Sequence, residues 1–343
     1  MRAMPLLALL TLPVAAEELS GTQLAKLKDA TVYVKHVGFR GLETGSGYLF
    51  RKDGKTGWVL TCEHVVRDTE TATVVLKSGR EGELKVEALV VFVDKERDVA
   101  CLRFKADEIP SPVELALKTE VKETESVYVA GFPFGPSLST AGDNPAPSVT
   151  KVSVSAVRRD DAGECVVVQL SGDVNPGNSG GPVIDGRGRL VGIATSRISG
   201  TEMVFLVPPE GLRAILKGRV LKVGAKSVAA SGVKPRLEIT APVFDPLGKL
   251  QSWGVSWIRR DALREAPAAG ADGKWKPAAA SMKDAALVLD ESKGVAAGAV
   301  DVNRAASEPV AIPVVFQAWW VGADGTKVWA EPVEVEARVV EGR

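Results

Sequence analysis

Between residues 30 and 208 the sequence never runs apolar for long before a turn signal cuts it off. The segments "TVYVKHV", "GSGYLF", "GWVLTC", "TATVVL", "LVVFV" and "DVACLRF" come first, and "SVYVAGF", "SVTKVSVSAV", "CVVVQL", "PVID", "RLVGIA" and "MVFLV" follow. They are rich in the β-branched and aromatic residues that suit a pleated, half-buried surface. "RKDGKT" lies between the second and third, and its Asp53-Gly54 pair reads as a hairpin turn. Short strands at regular spacing, with little helical periodicity between them, predict an all-β sandwich or barrel. The stretch is too long for one small barrel, and two barrels of about six strands each account for it.

The pattern changes after Pro208. In "PEGLRAILKG" the residues Leu212, Ile215 and Leu216 share one helical face. "GAKSVAASGVKP" is small, polar and closed by proline, which predicts a linker. Beyond it lie six of the seven tryptophans, the mark of a separate packing unit. Trp253, Val255 and Trp257 alternate with Ser252, Gly254 and Ser256, and Val333, Val335, Ala337 and Val339 alternate with Glu334, Glu336 and Arg338. Both are strands with one buried face. "ADGT" reads as a hairpin turn between "VVFQAWWV" and "KVWAEP", and "APAAGADGKWKPAAA" as a mobile loop. The expected organisation is a signal peptide over residues 1–16, a first domain over 17–218, a linker over 219–234 and a small β-sandwich over 235–343.

The signal peptide rests on Arg2, the apolar run from Leu6 to Leu12 and the small residues Val14-Ala15-Ala16. Cleavage after Ala16 is expected, with export to a periplasm or the medium. The apolar run is short for a membrane span, and no later segment reaches that length. Basic and acidic residues balance at 43 each without a basic block, which gives no footprint for nucleic acid or an anionic membrane. Cys62, Cys101 and Cys165 are an odd set, so at least one stays unpaired within a monomer. Three small buried thiols are the favoured reading.

The string "NPGNSGGPV" places Ser179 in a glycine-rich turn. A serine hydroxyl stays protonated at neutral pH, so a nucleophilic role requires a histidine base and a carboxylate to orient it. The chain has two histidines. His36, in "VYVKHVG", reads as a surface or edge-strand residue. His64, in "GWVLTCEHVV", falls just past a buried strand, where a side chain leaves the core. Asp98 opens "DVACLRF" and is fixed by the apolar alternation after it. Asp94 is its competitor.

"TCEHVV", "DVACL" and "NPGNSGGPV", in that order, resemble the catalytic segments of trypsin-like serine proteases of the high-temperature-requirement (HtrA/Deg) type. The resemblance covers about residues 31–216 and extends to "GSGYLF", "GFPFG" and "VFLVP". It implies two perpendicular six-stranded β-barrels with the site in the cleft between them. It also implies Ser179 as nucleophile, His64 as general base and then acid, Asp98 as orienter, and the backbone N–H groups of Gly177 and Ser179 as the oxyanion hole. Asn178 stands where zymogen-type relatives carry an aspartate for a new N-terminal amine, so no cleavage-activated switch is expected. Asp173, six residues before the serine, falls where the family has the floor of its specificity pocket: buried there it would select lysine or arginine, exposed it is an ordinary loop aspartate, and Arg197 on the neighbouring strand could neutralise it.

The sequence departs from that pattern in several places. Cys62 replaces an asparagine, and Val204 and Leu206 bring bulk to the strand beside the pocket. No PDZ pattern follows the protease segment. The tryptophan-rich sandwich stands in its place, as a structural rider or as the binder of a protein or glycan partner. The reading as a whole is an exported serine endopeptidase acting on extended or unfolded polypeptides through an acyl-enzyme, a chemistry that needs no metal or organic cofactor. The alternatives are a catalytically weak protease-fold binding or chaperone module, and a structural envelope protein acting through its C-terminal domain.

Overall fold

A helix precedes the first strand, and apolar alternation does not announce it. α1 (Gly21–Ala30) begins at Ser20, whose hydroxyl accepts from the Gln23 N–H at 3.2 Å while the Gln23 side chain accepts from the Ser20 N–H at 2.8 Å. This reciprocal pair is a capping box, and Ser-x-x-Gln was its sequence signal. Leu27 and Ala30 are buried, and the Thr31 hydroxyl donates to the Leu27 carbonyl at 2.7 Å, so the helix runs directly into strand. The computed structural model describes residues 18–38, 41–139, 144–172, 174–197, 203–228, 234–291, 293–305 and 307–339. The expected signal peptide lies outside the described residues. No described helix is long and apolar enough to cross a membrane.

Two units divide the chain, Met1–Ile215 and Leu216–Arg343. The first contains two closed barrels. β1 (Thr31–Gly38), β2 (Gly41–Asp53), β3 (Thr56–Thr61), β4 (Thr71–Leu76), β5 (Leu84–Asp94) and β6 (Val99–Lys105) close in the order β1-β2-β3-β6-β5-β4. The β2–β3 hairpin turns where expected, with Asp53 opposite Thr56 and Gly54 at φ +54°. β7 (Ser126–Gly131), β8 (Ser148–Arg159), β9 (Cys165–Ser171), β10 (Pro182–Asp185), β11 (Leu190–Arg197) and β12 (Met203–Val207) close in the order β10-β11-β12-β9-β8-β7. Alternate residues of neighbouring strands share the second core, including Val127, Val129, Val152, Val154, Val168, Leu170, Val183 and Val191. Closure leaves neither barrel an unpaired sheet edge at which another strand could add. α2 (Pro209–Ile215) follows, and Leu212 and Ile215 are buried on the face their spacing defines.

All three cysteines are free and buried. His36 differs from expectation. It lies beyond the β1–β4 pairing, which ends at Lys35, but its ring is buried and sits 3.5 Å from Glu43.

In the second unit two five-stranded sheets enclose one core. β13 (Arg219–Val220), β14 (Gly224–Val228), β15 (Arg236–Phe244), β18 (Leu287–Asp290) and β19 (Val295–Asp301) form one sheet. β16 (Ser252–Arg259), β17 (Lys283–Asp284), β20 (Ala311–Val321), β21 (Lys327–Trp329) and β22 (Val333–Arg338) form the other. Leu237, Ile239 and Val300 from the first sheet meet Val255, Val314 and Phe316 from the second. This is the expected sandwich, and its β20–β21 turn falls at the expected "ADGT", where the Gly322 N–H donates to the Thr326 carbonyl at 3.1 Å.

Two expectations about the second unit give way. The stretch read as a linker carries β13 and β14, both paired to β15, with Val220 and Val223 buried in the core. Its small, polar composition hides strand that a neighbouring strand recruits. The loop over residues 266–280 is tied down as well. Buried Gln317 accepts from the Ala278 N–H at 2.9 Å and donates to the Lys276 carbonyl at 2.9 Å, and Trp275 bridges to Trp329.

Candidate active site

β3 ends at Thr61, and a single 3-10 turn over Glu63–Val65 then lifts His64 out of the barrel wall. The other side of the pair comes from the turn between β5 and β6. There Asp98 adopts φ +53°, a left-handed conformation that aspartate tolerates better than most residues. That backbone turns the carboxylate toward His64. Asp98 Oδ2 lies 2.7 Å from His64 Nδ1, and Oδ1 accepts the His64 backbone N–H at 3.0 Å. One carboxylate therefore grips the histidine twice, through ring and main chain. Asp94, the competitor, is engaged elsewhere, accepting from the Arg97 N–H at 3.0 Å and from its guanidinium at 3.1 Å.

Burial opposes the Asp98 charge. The ring and backbone hydrogen bonds of His64, the charge of His64 and the nearby Cys62 thiol overcome it and hold the carboxyl below the ordinary range. Cys62, His64 and Asp98 are also metal-ligating residue types, and their ligand atoms lie within 4.8 Å of one another. The 2.7 Å between Nδ1 and Oδ2 is hydrogen-bond contact. It is shorter than the roughly 3.3 Å that separates two ligands on a tetrahedral zinc ion.

Ser179 lies in the turn that leads into β10. Gly177 has φ +100° and Gly180 φ +85°, both in the region that favours glycine. Space excludes side chains there too. A Cβ on Gly177 would stand 2.3 Å from the Phe132 carbonyl oxygen, and one on Gly180 2.2 Å from the Ser46 carbonyl oxygen. Among the described residues, the N–H groups of Gly177 and Ser179 donate to no partner. Two unpaired amides in a tight turn are what an anion-stabilising pocket requires. The Ser179 hydroxyl donates to the Thr195 carbonyl on β11 at 3.3 Å, a long bond, and not to His64. Asn178 is buried beneath this turn.

Sequence reasoning missed the residues that hold this turn. Buried Ser46, on β2 of the first barrel, donates through Oγ to the Gly177 carbonyl at 2.6 Å and accepts the Phe132 N–H at 3.0 Å. Its backbone N–H donates to the Ser179 carbonyl at 2.9 Å, and its own carbonyl accepts from the Thr61 hydroxyl at 2.7 Å. The small-residue string "GSG" was the available signal, since a hydroxyl between two glycines can approach another backbone closely. Val204 and Leu206 are buried in the second barrel's core, so their bulk is used in packing. Arg197 pairs with Val204 in the β11–β12 ladder. Asp173 and the Arg197 side chain lie outside the described residues.

Two successive closed six-stranded barrels, with a carboxylate-held histidine on one and a glycine-bounded serine on the other, define the class of trypsin-like peptidases. Residues 45–193 match the trypsin-like peptidase domain family. The chain is 31% identical over 182 residues to the serine protease Do-like HtrA of Bacillus subtilis, covering 50% of this chain and 38% of that protein. It is 29% identical over 159 residues to the protein of the same name from Lactococcus lactis subsp. cremoris, covering 46% and 38%. With the chloroplastic Protease Do-like 1 of Arabidopsis thaliana it shares 28% identity over 241 residues, covering 64% and 51%. The chain thus spans well under two thirds of the length of these curated relatives. Among solved structures it is similar to the active form of the Rv3671c protease from M. tuberculosis, at 23% identity and a TM-score of 0.47, covering 63% of this chain and 93% of that one.

Proposed function

We propose that the first unit hydrolyses peptide bonds in extended or unfolded polypeptides, with Ser179 as nucleophile, His64 as general base and then acid, and Asp98 as orienter. The observation that carries this reading is the double grip of Asp98 on His64, at 2.7 Å to the ring and 3.0 Å to the backbone. In the neutral tautomer that donates from Nδ1, the ring is left with Nε2 as its basic atom. The Ser179 hydroxyl leaves the Thr195 carbonyl, and Nε2 takes its proton as Oγ attacks the scissile carbonyl. The oxygen that becomes negative is received by the free N–H groups of Gly177 and Ser179. Collapse of the tetrahedral adduct expels the amine, which takes the proton from Nε2. Water then repeats the sequence on the acyl-enzyme and frees Ser179.

Export follows from the N-terminal pattern of Arg2, the apolar run and Val14-Ala15-Ala16. Mature protein recovered from the producing cell should begin at Glu17. A fluorophosphonate probe tests the central reading. It should label the wild type in a single position, and the label should disappear in Ser179→Ala. Absence of label in a folded wild-type protein would favour a binding module on a protease scaffold.

A further inference from the structure

Cys62 is the residue beside the candidate triad to which the mechanism gives no role. It ends the run from β3 in extended conformation, at φ −76° and ψ 147°, and has no exposed surface. Its Sγ donates to the Ala194 carbonyl at 3.3 Å. That carbonyl also accepts the Gly180 N–H at 2.7 Å, next to Ser179, while the Ala194 N–H donates to the Gly181 carbonyl at 3.0 Å. On its other side the sulfur lies within 4.8 Å of the Asp98 and His64 ligand atoms. The thiol thus stands between the carboxylate of the first barrel and the strand that supports the serine turn of the second.

We propose that Cys62 is a positioning residue for the triad: its buried thiol, seated between the Asp98 carboxylate and the Ala194 carbonyl, fixes the carboxylate that holds His64. This rests on the function proposed above. Burial, and then the charge of Asp98, push the Cys62 pKa well up, so the group remains an S–H donor and never a competing anion. Its bulk keeps water from the rear of the carboxylate, where low dielectric strengthens the bond to Nδ1. Its single proton is shared between the Ala194 carbonyl and the Asp98 carboxylate, and the share that reaches Asp98 draws off part of that charge. Without that proton, more of the carboxylate's charge is left for its contact with His64 Nδ1. The other charged groups around the pair are Glu63, Arg67 and Asp68, on the turn after Cys62, and Glu63 and Arg67 are paired at 2.8 Å. Ala194 and Gly180, on the far side, carry no charge.

The test compares Cys62→Val, which keeps bulk without a donor, with Cys62→Ser, which keeps a donor. The readouts are the rate of Ser179 labelling by a fluorophosphonate across pH and the melting transition of each variant. Cys62→Val should label about tenfold more slowly, the loss of one weak hydrogen bond to a charged group, with the acid limb of the profile moved to higher pH. Cys62→Ser should keep both the wild-type rate, within about threefold, and the wild-type limb. A folded Cys62→Val that matches wild type in rate and limb overturns the proposal. So does a Cys62→Ser that slows and shifts as valine does. If valine prevents folding, Cys62→Ala is read by the same criteria. A wild type that takes no label overturns the triad reading and this one together. A labelled wild type with indifferent variants removes only the role of Cys62.

Discussion

Ser46→Ala removes one oxygen and leaves two backbone groups without partners. The Phe132 N–H loses its acceptor at 3.0 Å, and the Gly177 carbonyl loses its donor at 2.6 Å. Ser46 is fully buried and Phe132 only 1% exposed, so water does not readily replace the hydroxyl. A buried polar group left unpaired costs about 1–3 kcal/mol, and the two together should cost about 2–4 kcal/mol. For a unit of this size each kcal/mol lowers the melting temperature by about 2–4 °C, giving a drop of roughly 5–15 °C. The catalytic effect is separate. The Gly177 carbonyl belongs to the peptide between Gly177 and Asn178, one link from the amide proposed for the oxyanion, and its hydrogen bond keeps the turn in shape. A turn free to rotate loses one oxyanion donor for part of the time, a deficit of up to about 100-fold. Differential scanning calorimetry reads the first quantity. Fluorophosphonate labelling well below the transition reads the second, per folded molecule. An unchanged melting temperature together with an unchanged labelling rate would refute the assignment of Ser46 as the support of the serine turn. A lower melting temperature with an unchanged rate would confine it to stability.

Gly177→Ala places a Cβ 2.3 Å from the Phe132 oxygen on a backbone at φ +100°, so labelling should fall by at least about 100-fold and the melting temperature should drop. Asp98→Asn keeps a residue type that accepts φ +53° but loses the charge, and the labelling rate should fall by about 10⁴-fold with the fold intact. Because the folded Asp98 pKa lies below its unfolded value, its contribution to stability is present above the unfolded value and is lost as pH falls through the folded one. Melting curves taken across that acid window should therefore fall less steeply for Asp98→Asn than for wild type, and equal slopes would count against the carboxylate as a native-state anion.

Twelve segments marked off by turn signals were enough to read two barrels, because a strand's period and its punctuation are both local properties. The capped helix α1 was legible in principle, through Ser20 and Gln23, but its two buried residues are too few to stand out. β14 was not legible. "GAKSV" has no alternation of its own and becomes strand only because β15 offers a partner. The same division runs through the site. His64, Asp98 and Ser179 stand in short strings whose chemistry is visible residue by residue. Ser46 and Cys62 act across 131 and 132 residues of sequence, on Gly177 and Ala194, and nothing in their neighbourhoods states that distance. Backbone decides which of Asp94 and Asp98 meets His64. The positive φ of Asp98 aims its carboxylate at the histidine, while Asp94 closes a local turn on Arg97.

The first barrel carries the histidine and its carboxylate, and the second carries the serine and its free amides. Ser46 of the first barrel sets the backbone of that serine turn. Under the proposed triad, neither half can cut anything alone. A chain emerging N-terminus first completes a base with nothing to activate, and hydrolytic power arrives only when the second barrel closes and meets Ser46. The molecule's own unfinished strands, extended polypeptide of the kind it is proposed to cleave, are therefore largely out of reach before the blade exists. Under the proposed triad, activity requires two folding events together, and a half-folded copy lacks it.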